Sequence, residues 1–172
     1  MELVLSDRPL PALPARPGRK VIDLSALHIA PCVGCFGCWT RTPGRCVIRD
    51  DAVKVYPQIA AARRVLYVSR LFCGGYDLPM KTMLERAIPI QQAFIRLVDG
   101  ETHHFQRRVE PKEAAILAYG DIPPEEQQLF RRLVARNAKN MNFVSHRVRF
   151  VSEAGVEAAA LEEVQRWNEC WF

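Results

Sequence analysis

Apolar positions along the chain fall into two rhythms. Short runs with β-branched residues stand at Leu3–Leu5, Val21–Leu24, Val65–Ser69, Ala115–Tyr119 and Val148–Val151, and each has the length of one buried strand. Longer stretches of helical period separate the later runs. Asp50-Asp51 offers an N-cap, after which Val53, Tyr56, Ile59 and Ala60 share one face of a helix that ends near Arg63. Pro79 suits the first turn of the next helix, whose apolar face is Met80, Met83, Leu84, Ala87 and Ile88, and Pro89 stops it. Asp121-Ile122-Pro123-Pro124-Glu125-Glu126 is a helix start with acids in the first turn, and Leu129, Phe130, Leu133, Val134, Asn137 and Met141 continue at helical spacing. A last helix opens near Ser152-Glu153 and carries Val156, Ala160, Val164, Trp167 and Trp171 as a core stripe.

This alternation predicts an α/β fold, a doubly wound parallel sheet of five strands, with one element missing. Between the first two strands, where a crossover helix belongs, the chain carries Pro9, Pro11, Pro14 and Pro17 within a Pro-rich linker over residues 8–20. Proline has no amide donor and breaks a helix interior, so none is expected there. A polyproline path of ~3.1 Å per residue still returns the chain to the start of the sheet. The missing helix leaves part of one apolar sheet face to be covered by the linker, a partner chain or a swapped element. A second irregularity is the stretch 91–112, with Phe94, His103, His104 and Phe105, read as a long functional loop or insertion at an oligomer interface.

Length and composition narrow the setting. With 172 residues, 49% hydrophobic and 25% charged, the chain is expected to form a single globular domain over 1–172. The net charge of +5 comes from arginines scattered in ones and twos, as at Arg63-Arg64, Arg107-Arg108 and Arg131-Arg132. Such scattering marks a solvated surface, and neither nucleic acid nor membrane is an expected partner. Met1 to Leu5 is strand-length and is followed at once by charge and proline, so a cytoplasmic place is expected. In that compartment the six cysteines point to metal, redox chemistry or burial rather than to disulfides.

Four of the cysteines form one constellation, Cys32-x2-Cys35-x2-Cys38-x7-Cys46. Gly34 and Gly37 permit a tight backbone on which thiolates three residues apart can converge, and the Pro43-Gly44 turn can fold Cys46 back toward them. A [4Fe-4S] cluster suits three such cysteines and a more distant fourth, whereas zinc more often uses two separated Cys-x2-Cys knuckles. The residues leave three readings open: uncoordinated thiols, an iron–sulfur cluster, or zinc. Trp39 is expected as a core anchor, Cys73 as an exposed thiol and Cys170 as a packing residue. Adjacent His103 and His104 point in different directions in extended chain and are read as contact residues rather than a shared metal site.

Ile29 to Trp39 together with Thr42 to Asp51 resembles flavodoxin-like NAD(P)H-dependent FMN reductases and the related iron–sulfur flavoproteins. Further blocks follow in the same order at Ser69 with Gly74-Gly75-Tyr76, Met80 to Arg86, Gly100 to His104 and Arg136 to Asn140. The resemblance implies a flavodoxin-like sheet of order 2-1-3-4-5, a dimer, and FMN at the carboxyl ends of the strands. Carried over residue by residue, it places FMN contacts at Ser6, Arg8, Leu71, Phe72, Gly74, Gly75, Tyr76, Tyr119 and Gly120, and a cluster on Cys32, Cys35, Cys38 and Cys46. The implied reaction is hydride transfer from NAD(P)H to FMN, with electrons passed on through the cysteine centre.

At the phosphate loop the sequence departs from that pattern: Pro9 and Pro11 offer no amide, Asp7 repels a phosphate, and no helix dipole is present. Arg70 stands where the family usually has proline. The expectation is therefore a redox protein with a degenerate FMN site. Its alternative is a non-catalytic flavodoxin-like subunit that has lost FMN and serves as partner to a related flavoprotein, in a homodimer or hetero-oligomer. No catalytic residue is assigned, and Lys81 with Arg86 is read as a solvated or dimer-facing pair.

Overall fold

The computed structural model describes residues 1–169. Its elements in chain order are β1 (Glu2–Ser6), β2 (Arg19–Asp23), α1 (Gly37–Thr40), α2 (Ala52–Ala61), β3 (Arg64–Phe72), β4 (Gly75–Tyr76) and α3 (Leu78–Glu85). There follow β5 (Gln91–Val98), β6 (Glu101–Gln106), β7 (Lys112–Tyr119), α4 (Pro124–Asn140), β8 (Phe143–Val151) and α5 (Val156–Glu169). Strands β2, β1, β3, β7 and β8 lie side by side in that order, all parallel, which is the expected 2-1-3-4-5 arrangement. The two-residue β4 pairs antiparallel with the end of β3.

Alternate residues of each strand serve two separate cores. Leu3, Leu5, Val65, Tyr67, Ala114, Ile116 and Ala118 face a layer whose buried residues include Val55 and Ile59 of α2, Met80 and Met83 of α3, and Phe130 and Val134 of α4. Val4, Leu66, Val68, Ala115 and Leu117 face the other way, against Val156, Ala160, Val164 and Trp167 of α5. This second layer is where the missing helix would lie, and residues 7–18 contain none. Leu10, only 8% exposed, and the partly buried Leu13 drop from the linker onto the same core. The linker itself thus covers the face, with two leucines in the place of an amphipathic helix.

Several local readings change. Residues 91–106 are not an irregular loop: β5 and β6 form an antiparallel hairpin joined at Asp99 (φ 51°) and Gly100 (φ 78°), outside the main sheet. Phe94, Ile95, Leu97 and Phe105 on it are exposed. Helix α2 contains Pro57 in its interior, and β2 starts two residues before the predicted Val21. On α4, Phe130 and Val134 are buried as the spacing predicts, whereas Leu129 and Leu133 are exposed. Trp39 is a half-buried bridge to the hairpin rather than a core anchor, its ring tilted at 45° to that of His104 with centres 4.8 Å apart and its indole N–H donated to Gln91 O at 3.1 Å. The readings of Cys170 and Trp171 lie outside the described residues. No helix among the described residues is long and apolar enough to cross a membrane.

Candidate functional site

Two regions carry the chemistry that the sequence singles out: the crest of the sheet, where β1, β3 and β7 end, and the cysteine loop between β2 and α2. In open parallel sheets ligands bind at the carboxyl ends of strands, so the crest is the expected place for a flavin.

The crest is occupied by the protein's own side chains. After Ser6, which is buried, the backbone of Asp7 continues the ladder by donating to Val68 O at 3.1 Å. The Asp7 carboxylate then accepts the Arg70 amide at 2.6 Å and the Tyr119 hydroxyl at 2.8 Å. Burial pushes this carboxyl above its ordinary range, against the pull of those donors and of Ser69, and the Asp77 charge adds to the rise. Arg8 lies 5.5 Å over the Tyr119 ring and 3.5 Å from Glu153, so its charge is already offset. An anion entering here would meet two carboxylates and an amide already engaged, and the Pro-rich linker after β1 supplies no helix N-terminus. The residues present therefore do not fit an FMN phosphate.

The remaining flavin candidates divide. Gly120 stays at the crest, in a conformation with φ 133° and with its amide donated to Val151 O at 3.3 Å. Leu71 and Tyr76 pair across the β3–β4 hairpin and are buried, Tyr76 edge-on to Phe130 with ring centres 4.8 Å apart. The turn between them has Cys73 at φ 50° and Gly74 at φ 70°. A Cβ on Gly74 would come 2.5 Å from Leu129, so the turn rests on α4, and the Gly74 amide donates to Glu126 at 3.0 Å. Phe72, Gly75 and Tyr76 line a groove of about 560 Å³ between α3 and α4, together with the exposed thiol of Cys73. Ser6, Arg8, Tyr119 and Gly120 are not among its lining residues. Of the nine candidates, Phe72, Gly75 and Tyr76 line this groove, while Leu71 reaches the crest, its carbonyl oxygen 4.0 Å from where a Cβ on Gly120 would lie.

The cysteine loop is built differently. All five described cysteines are free thiols, with Cys32 and Cys35 exposed, Cys38 half-buried and Cys46 buried. Gly34 (φ 64°) and Phe36 (φ 55°) adopt left-handed backbone, which turns the chain sharply between the first sulfurs. Gly37 must be glycine for space, because a Cβ there would lie 2.8 Å from Val47 and 3.5 Å from Cys35 Sγ. Burial first, then Cys46, Cys32 and Cys35, pushes the Cys38 thiol up. No three His, Cys, Asp or Glu side chains among the described residues converge closely enough to hold a metal ion. The donor set itself, four thiols on one glycine-turned loop, suits an iron–sulfur cluster.

What holds this loop was misread from the sequence. Arg86 is not solvated or dimer-facing; it is 1% exposed and the largest fully buried side chain among the described residues. Its Nη1 donates to Ala30 O at 2.7 Å and Asp50 Oδ2 at 2.6 Å, and its Nη2 to Asp50 Oδ1 at 3.0 Å and Ile48 O at 3.3 Å. Asp50 also accepts the amides of Ala30 at 2.9 Å and Ala52 at 3.1 Å, so it holds the first amide of α2 and closes the loop at once. Burial raises its carboxyl, but Arg86 and the Ala30 and Ala52 amides more than offset this and hold it below the ordinary range. Asp51 accepts the His28 amide beside it at 3.1 Å. The Cys46 thiol lies against the same guanidinium, and the Cys46 amide donates to Tyr56 Oη at 3.2 Å. Lys81 remains on the surface in an i,i+4 pair with Glu85. The signal available in the sequence was the position of Arg86 at the end of an apolar helix face, one residue before Ala87.

The histidines take the contact roles expected of them. His103 is buried with Nδ1 3.0 Å from Asn140 Oδ1 and Nε2 3.1 Å from Glu101 Oε2. Arg136 and Lys139 of α4 also reach Glu101, and Asn140 O accepts the Gln91 and Gln106 side-chain amides. This network ties the hairpin to α4.

The sheet order, the two helical layers and the crest define a flavodoxin-like α/β protein. An azoreductase from Bacillus anthracis strain Sterne has this fold, with a TM-score of 0.62 and 13% identity over 96% of this chain and 97% of that one. So does an FMN-dependent NADH-azoreductase from Bacillus anthracis strain Ames Ancestor, solved in complex with FMN, with a TM-score of 0.59 and 9% identity over 96% of each chain. In sequence the chain is similar to an iron–sulfur flavoprotein of Methanocaldococcus jannaschii, 27% identical over 75 residues, which is 44% of this chain and 38% of that protein. A Methanosarcina thermophila iron–sulfur flavoprotein is 28% identical over 71 residues, 41% of this chain and 36% of that protein. The match spans little more than a third of each of these relatives. No family model matches the sequence. The resemblance drawn from the motifs agrees with this: the fold is flavodoxin-like, and part of the chain is similar in sequence to iron–sulfur flavoproteins.

Proposed function

We propose that this chain is a redox protein in which Cys32, Cys35, Cys38 and Cys46 hold an iron–sulfur cluster, while FMN is not held at the crest. The observation that carries this reading is the contrast between a cysteine loop still stapled by a buried Arg86–Asp50 pair and a crest closed by Asp7. Such a cluster would supply one-electron transfer. Cys46 and Cys38 would bind it from the protein side, and the exposed Cys32 and Cys35 from solvent. The cofactor pair NAD(P)H and FMN, which the resemblance implies, then belongs to a flavin-bearing partner rather than to this chain. Exposed Phe94, Ile95, Leu97 and Phe105 on the β5–β6 hairpin favour an oligomer through that extension, in a second copy or a related flavoprotein. A cytoplasmic place, where free thiols persist, is part of the same reading.

Anaerobic purification followed by an absorption spectrum, iron and sulfide analysis and an FMN titration tests it. The expected preparation is brown, contains iron and acid-labile sulfide in matching amounts, and takes up no FMN. A yellow, flavin-bearing preparation overturns the flavin half, and a colourless, iron-free one overturns the cluster half.

A further inference from the structure

The cysteine loop enters at Ala30 and leaves at Ile48, and one side chain from outside the loop touches both ends. Arg86 bonds Ala30 O, Ile48 O and both carboxylate oxygens of Asp50. These contacts use its two terminal nitrogens; Nε is buried without an acceptor among the described residues. A buried guanidinium N–H left unpaired is costly, and such a group commonly marks a partner that arrives later. The other polar group against the guanidinium is the Cys46 thiol. Helix α3, which brings Arg86 here, is anchored by Met80 and Met83 in the core, so the fork is set by the fold and not by the loop.

We infer that Arg86 is a positioning residue for the cysteine centre. It fixes the Cys46 end of the loop before a cluster is present, and it places one positive charge and a free N–H donor beside the cluster once bound. This rests on the cluster reading proposed above. Beyond its anchor at Ala30, the exposed Cys32–Cys35 limb makes no hydrogen bond to the fork and is the part that moves when the four sulfurs close. A donor and a positive charge beside a cluster sulfur favour its reduced, more negative form, so Arg86 raises the potential of the centre. Asp50, the carboxylate on the other side of the fork, lowers it.

The test uses the anaerobically reconstituted full chain and three variants. Arg86→Met is expected to lose iron to a chelator about 10–100-fold faster than the parent protein. The cluster it retains should show a lower midpoint potential. Arg86→Lys keeps the charge but has no fork to join Ala30 O to Ile48 O, so it should lose iron nearly as fast while its potential moves less. Asp50→Asn keeps an acceptor for Arg86, covers the case in which the Arg86 variants do not fold, and should shift the potential upward. In the iron-free protein, amide exchange should quicken at residues 44–50 in Arg86→Met while residues 32–36 exchange fast already in the parent. A purely structural Arg86 would not give potential shifts of opposite sign in the two partners. Iron loss and potentials equal to those of the parent overturn the inference alone. Failure of the parent chain to take up iron overturns this inference together with the reading beneath it.

Discussion

Asp7 and Asp50 are both aspartates at the carboxyl-side loops of the sheet, yet they do opposite things. Asp50 meets a guanidinium that the fold delivers from α3, so its charge is favoured and its carboxylate becomes a staple for the cysteine loop. Asp7 meets one amide and two hydroxyls but no cation, so burial dominates and its carboxyl is raised. The first aspartate keeps a loop in shape for something to bind. The second fills the place where something would bind. The difference lies in what the neighbouring helix brings: α3 carries Arg86 to Asp50, whereas the helix that would have offered amides beside Asp7 has been replaced by prolines and two leucines.

That contrast can be broken in a graded way. The largest effect is expected from Asp50→Ala, which strands the Arg86 charge in the interior and should cost about 3–5 kcal/mol in urea denaturation. A cost below about 1 kcal/mol would mean the pair is not the staple described. Next comes Leu10→Ala in the linker: if the linker stands in for a helix, removing its main core contact should cost about 2–4 kcal/mol, read as a fall in the urea midpoint. An unchanged midpoint would show that α5 covers that face alone.

A third buried charge, Lys112 at the foot of β7, lies at the opposite end of the sheet and serves as a control. Its ammonium donates to Glu110 O at 2.6 Å, and burial lowers its pKa from 10.5 to about 8. Between those two values the unfolded chain binds more protons than the folded one, so stability should rise as pH climbs from about 8 toward 10.5. Lys112→Met should abolish that rise.

The smallest effect is expected at Asp7. Because its folded pKa is raised, stability should fall as pH rises from 3.8 through the folded value, the reverse of the Asp50 contribution, which is lost as pH falls below 3.8. Asp7→Asn keeps an acceptor for the Arg70 amide and should change neutral-pH stability by no more than about 1 kcal/mol while removing that acid-side fall. A loss well beyond this at neutral pH would mean that the Asp7 charge supports the crest instead of merely occupying it.

Most of the fold was legible because periodicity reports burial directly. The five strands, the absence of a helix among Pro9, Pro11, Pro14 and Pro17, and the buried faces of α3 and α5 all follow from spacing and proline chemistry. The β5–β6 hairpin was missed because its apolar residues, Phe94, Ile95, Leu97 and Phe105, are exposed and so do not trace a core-facing alternation. Pro57 does not break α2, because its cost there is outweighed by the burial of Val55, Tyr56 and Ile59. Of the site, the four cysteines were legible as a group, but Arg86 was not. A charged residue after an apolar helix face looks solvated until its partners, 36 and 56 positions away in the chain, are known.

By itself, then, the sequence determined the class: a parallel α/β sheet lacking its first crossover helix, with four thiols on a glycine-turned loop. Those properties are local, since spacing, proline and glycine act within a few residues. Only the tertiary structure decided which aspartate would be paired, that two linker leucines would close the open face, and that a buried arginine would join both ends of the cysteine loop. Each depends on groups brought together from distant parts of the chain. Whether a buried charge is a staple or a plug depends on what lies beside it in space.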